Sequence, residues 1–67
     1  MADDDVRADA LEMLAAGVNI RHIWVEHLAR GGNGSAEDLK GFLDGMVPID
    51  ELYTLILAIT LKEIRHL

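Results

Sequence analysis

Cysteine is absent from the 67 residues, so disulfides and thiolate metal sites are excluded together. Serine occurs once, as Ser35, and neither its flanking residues nor a dyad partner marks it as a nucleophile. Long apolar runs are also missing. The greasiest stretch, Leu52 to Leu61, is too short to span a bilayer. Met1-Ala2 is followed by a run of three aspartates instead of a basic and then an apolar segment, so no secretory signal is expected. Basic residues are few. Six Lys and Arg stand against twelve Asp and Glu, a formal net charge of −6. That balance opposes nonspecific attraction to nucleic acid phosphates and to anionic lipid.

What remains is one short domain. A chain of this length buries a limited fraction of its surface and is marginal by itself. The usual supports are disulfides, metals and self-association. With the first excluded, helix packing and oligomerisation carry the load. A reducing cytoplasm is compatible with the lack of cysteine.

The charge is unevenly spread. Residues 1–16 hold Asp3, Asp4, Asp5, Asp9 and Glu12 against Arg7, and residues 35–51 hold Glu37, Asp38, Asp44, Asp50 and Glu51 against Lys40. The stretches between and after them are slightly basic. Such patches read as solvated surface, or as charges that steer a partner or pair two copies.

Periodicity predicts an all-α chain, a small bundle of three to four helices over about 4–16, 19–30, 35–45 and 49–66. Val6, Ala10, Met13, Leu14 and Gly17 make the apolar stripe of the first, and Gly17 is a plausible stop. Asn19 suits an N-cap. Ile20, Ile23, Trp24, His27 and Leu28 follow half-buried helical spacing. The Gly17-Val18-Asn19 break favours two helices over one bent helix. Gly31-Gly32-Asn33-Gly34 ends the second helix. Ser35 caps the third, with Asp38 completing a shortened capping box. Leu39, Phe42, Leu43 and Met46 form its inner face. Pro48, Asp50 and Glu51 suit the start of the fourth.

The fourth helix is the most informative. Leu52, Ile56 and Ile59 lie on one face, widened by Leu55, while Leu57, Leu61 and Ile64 lie on another. A surface helix needs one apolar stripe; a helix greasy on more sides must be covered on more sides. Three short helices cover roughly two of them. The rest is expected to meet a second subunit, most simply in a dimer, or a protein partner. The expected interface is Leu52, Tyr53, Leu55, Ile56, Ile59 and Trp24. Trp24 reads as a core anchor by its spacing and as an interface hot spot by its type.

Other constellations carry less. His22, Glu26 and His27 are spaced H-x-x-x-E-H, whereas zinc-peptidase helices need H-E-x-x-H or H-x-x-E-H with the ligands on one face. His27 points about 100° away from Glu26. A local contact of His22 with Glu26 and a half-buried His27 are expected, and no metal. The glycine run lacks the Lys-Ser/Thr of a phosphate loop. The carboxylates fall mostly in helix first turns, where capping accounts for them. No enzyme and no cofactor are expected.

Three resemblances follow from particular residues. Arg21-His22-Ile23-Trp24, Gly31-Gly32-Asn33 and Phe42-Leu43-x-Gly45-x-x-Pro48, followed by an apolar helix with Ala58, resemble a group of short actinobacterial helical proteins without an assigned activity. That likeness implies a bacterial, cytoplasmic setting. The group's usual Asn-Glu-Arg ending is replaced by Lys62-Glu63-Ile64-Arg65. Gly31-Gly32-Asn33-Gly34-Ser35 is similar to the phosphopantetheine attachment element of acyl and peptidyl carrier domains. The likeness would make Ser35 the modified residue, although Gly34 is extra and the usual following leucine is lacking. Gly45-x-x-Pro48-x-x-Glu51-Leu52 resembles the end of a helix-turn-helix domain of the lambda-repressor type. That likeness implies a transcriptional regulator, but the acidic Ser35–Asp44 helix would face phosphates badly. The reading that best fits the residues is a regulatory or adaptor module that binds protein through its C-terminal helix.

Overall fold

Four helices follow in chain order: α1 (Asp3–Ala15), α2 (Ile20–Ala29), α3 (Ala36–Leu43) and α4 (Glu51–Arg65). They are seen in a computed structural model that describes residues 3–46 and 50–66. No strand is present among the described residues. The chain is therefore a small all-α bundle, with α1 and α2 as separate helices.

Local chemistry sets the boundaries. Asn19 is extended, and its side-chain oxygen accepts the Arg21 N–H at 2.8 Å, satisfying one of the unpaired donors of the first turn of α2. Ser35 and Asp38 form the expected capping box: Ser35 Oγ accepts from the Asp38 N–H at 3.2 Å, and an Asp38 carboxylate oxygen accepts from the Ser35 N–H at 3.0 Å. Asp50 caps α4 by accepting the Tyr53 N–H at 2.7 Å. Pro48 lies outside the described residues.

The first three helices end in the same way. The Gly17 N–H donates to the Leu14 carbonyl, and the Val18 N–H reaches back to the Met13 carbonyl, both at 3.0 Å. This Schellman arrangement places Gly17 at φ +103°, which glycine adopts without a Cβ penalty. Equivalent bonds close α2 from Gly31 and Gly32, and α3 from Gly45 and Met46.

The core takes Val6, Ala10 and Met13 from α1, Ile23 and His27 from α2, Leu39, Phe42 and Leu43 from α3, and Tyr53, Leu57 and Leu61 from α4. Both α1 and α2 pack on α3 and on α4. Thr54 and Thr60 are also buried. Their hydroxyls donate to the Asp50 and Ile56 carbonyls of the preceding turn, at 3.1 and 2.8 Å, so each brings its own partner into the core.

Two expected core positions face outward. Met46 is 79% exposed because α3 ends at Leu43, short of the methionine. Leu28, at the margin of the α2 stripe, is exposed as well.

Candidate interaction surface

Helix α4 is apolar on two opposite sides, and its own chain covers one. At 100° per residue, Tyr53, Leu57, Thr60 and Leu61 fill one arc, and all four are buried. Leu52, Leu55 and Ile59 share an arc roughly 160° away and are 64%, 49% and 44% exposed. Ile56, at the edge of that arc, is half-buried. Leu57, Leu61 and Ile64 thus turn inward, as their spacing predicts. Leu52, Leu55 and Ile59 form an uncovered stripe.

Two residues expected on this surface lie elsewhere. Tyr53 is one residue, hence about 100°, round the helix from Leu52, and is 7% exposed. Its ring packs on His27 of α2 with centroids 4.3 Å apart. Trp24 is half-buried against the core, and its indole N–H donates to the Gly34 carbonyl at 3.1 Å. It pins the glycine turn to α2 and does not extend the α4 stripe.

Charged groups flank the stripe on both sides. Towards α1, an open groove of about 420 Å³ has Val6 and Ala58 on its floor, Asp5 and Asp9 on one wall, and Lys62, Arg65 and His66 on the other. Arg65 pairs with Asp9 across it at 3.0 Å. Towards α2, Arg30 bonds Glu26 on its own helix at 3.0 Å and Glu63 of α4 through Nε at 2.6 Å. The hydrogen bonds of Glu26 and then Glu63 push the Arg30 pKa up, so it stays a cation throughout. A hollow of about 30 Å³ lies between the Gly31–Asn33 turn and Asp50, Leu52, Tyr53 and Ile56.

Sequence reasoning placed Glu26 beside His22, but the structure pairs it with Arg30, also one turn away. His27, expected half-buried, is fully enclosed. No group of His, Asp and Glu that could hold a metal ion occurs among the described residues. Ser35 is exposed, and its oxygen serves the α3 cap. No helix of the described chain is long and apolar enough to cross a membrane.

Other exposed apolar residues were not singled out from sequence. Leu11 lies on α1, and Val25 joins Leu28 on α2. On α2 this pair sits roughly 150° from the flank of Glu26 and Arg30 that reaches α4. It therefore forms a separate patch and does not lengthen the α4 stripe.

No family model, curated protein or solved structure matches the chain.

Proposed function

We propose that this chain is a non-enzymatic protein-interaction module, regulatory or adaptor in role, that acts through the outer face of α4. One observation carries the reading: Leu52, Leu55 and Ile59 form a continuous stripe on the side of α4 that the bundle leaves open. Burying a fully exposed Leu or Ile is worth about 1.5–3 kcal/mol. Half-exposed, each has about 1 kcal/mol left to gain on docking. A stripe of this size favours a modest, reversible contact over a permanent one, since association itself costs about 4 kcal/mol or more. The acidic surface sets partner choice and encounter rate more than affinity. A cysteine-free chain suits the reducing cytoplasm that its bacterial resemblance implies.

The test is self-association, followed by partner capture. Light scattering across a concentration series should show growing mass. The melting temperature should rise with concentration, as mass action requires for folding coupled to association. Leu55→Asp and Ile59→Asp alter exposed positions, so both variants should fold while losing association. The reading fails if wild type stays monomeric at every concentration, and it also binds no protein that the two variants fail to bind.

A further inference from the structure

We infer that the occupant of the α4 stripe is a second copy of this chain, with its α4 running antiparallel about a two-fold axis near residues 56–57. This deepens the interaction reading and rests on it.

Spacing comes first. Leu52, Leu55, Ile59, Lys62 and His66 recur at intervals of three and four, the seam of a helix that packs along its length on another helix. Leu55 and Ile59 are symmetric about position 57, so an antiparallel copy sets Leu55 against Ile59 of the second copy twice over. The same axis sets Leu52 against the aliphatic stem of Lys62.

Charge decides the direction. The N-terminal end of α4 is acidic, with Asp50 and Glu51; its C-terminal end carries Lys62, Arg65 and His66. Glu51 and Lys62 lie within about 20° of each other around the helix, on the flank nearer α1. A two-fold axis across the helix brings like flanks together (the isologous case), so Glu51 meets Lys62 of the second copy at both ends. The midpoint of positions 51 and 62 lies half a residue from position 57, about which Leu55 and Ile59 are symmetric. A parallel pair would instead oppose Lys62 to Lys62 inside the seam, where like charges are unfavourable. Arg65 is held by Asp9, and Lys62 makes no salt bridge among the described residues, which leaves Lys62 as the cation for Glu51.

The contact is small. A standard stable interface covers about 800 Å² per partner, more than one stripe of a 15-residue helix supplies. The pair is therefore weak and readily reversible.

The native chain has no cysteine, so introduced thiols report orientation without background. Leu52→Cys and Lys62→Cys variants are mixed at concentrations where wild type associates, and oxidised in a glutathione buffer. The disulfides are then identified by mass spectrometry. An antiparallel pair gives the mixed disulfide beyond the proportion that random pairing yields. A second arm uses Glu51→Lys and Lys62→Glu, both at exposed positions. Each alone should weaken association about three- to tenfold. An equimolar mixture should regain wild-type mass, because both pairs are then complementary. A preference for the two homodisulfides, or charge variants that associate like wild type, overturns the antiparallel pairing and leaves the interaction reading standing. A wild type that never associates removes the second copy as occupant. If it also captures no protein, the interaction reading falls with it.

Discussion

The imidazole of His27 lies between the glycine turn and the Tyr53 ring, which it meets at 4.3 Å with a 44° tilt. It is fully buried, and neither ring nitrogen has a hydrogen-bond partner; the Tyr53 hydroxyl is buried and unpartnered too. Burial pushes the imidazole pKa below its ordinary 6.5, while the nearby Tyr53 backbone pulls weakly the other way without closing a bond to either nitrogen. Above pH 6.5 both the folded and the unfolded chain carry neutral His27, and stability is at its full value. As pH falls through 6.5, the unfolded chain takes up a proton that the folded chain resists. Stability should then drop by up to about 1.4 kcal/mol per pH unit until the folded pKa is reached. Urea unfolding at several pH values between 5 and 8 measures the slope. The slope should flatten in His27→Gln, and an unchanged slope would assign it elsewhere.

The opposite limb belongs to Tyr53. Burial, and secondarily the charge of Asp38, push its phenol pKa above 10. The unfolded chain loses its proton first, so stability is complete below pH 10 and falls as pH rises beyond it. Tyr53→Phe removes a buried hydroxyl without a partner and keeps the ring on His27. That variant should be as stable as wild type or up to about 1 kcal/mol more stable at pH 7, with the alkaline loss abolished. A loss of more than about 1 kcal/mol at pH 7 would mean that the hydroxyl has a partner after all.

Gly32 makes the lid over this pair. A Cβ placed there would fall 2.1 Å from His27 Nδ1 and 2.7 Å from the His27 carbonyl oxygen. Gly32→Ala should cost about 1–3 kcal/mol, read from the urea midpoint. Part of the clash is with the ring, so the penalty should shrink by about 0.5 kcal/mol or more in a His27→Ala background, the signature of direct contact. Equal penalties in the two backgrounds would trace the cost to the backbone alone.

Much of this architecture was legible in the residues. The four helices, the Asn19 and Ser35 caps, the Gly17 stop and the division of α4 into two faces follow from short-range rules of spacing and capping. What escaped depends on where distant segments meet. Nothing local to Gly32 says that an imidazole lies beneath it, since any residue in a glycine-rich turn reads as a connector. Glu26 had two suitors one turn away, and Arg30 prevails because Glu63, far along the chain, shares the same guanidinium. Tyr53 is expected on the interface with its α4 neighbours, but its position around the helix places it inside. Met46 looked internal because the apolar period of α3 continues past the point where its helix stops.

Arg7 shows the same dependence on distant contacts. Its guanidinium lies 4.8 Å from the Phe42 ring centre, and its Nε donates to the Phe42 carbonyl at 2.9 Å, at the C-terminal end of α3. Its bond to Asp4 at 2.8 Å involves a carboxylate whose side chain is 90% exposed. Arg7→Lys keeps the charge but loses the planar fork and the stacking, and should lower stability by about 1 kcal/mol. Asp4→Ala should change it by less than about 0.5 kcal/mol. Comparable losses from the two would shift the weight from the Phe42 contacts to the ion pair.

Opposite sides of α4 offer the sharpest contrast. Leu57 is fully buried and Leu55 is 49% exposed, although they are two residues apart and chemically identical. Leu57→Ala removes packed methyl groups and leaves a cavity, so it should cost about 2–5 kcal/mol at every protein concentration. Leu55→Ala removes little that the isolated chain uses, and in dilute solution should cost less than about 1 kcal/mol. Its effect should emerge as concentration rises, because the lost contact belongs to the associated form. Melting curves for both variants and wild type over a hundredfold concentration range separate the cases. The wild-type and Leu57→Ala curves should climb with concentration, and the Leu55→Ala curve should stay flat. If Leu55→Ala tracks wild type at the top of the range, the outer stripe is solvent-facing surface and not a docking face.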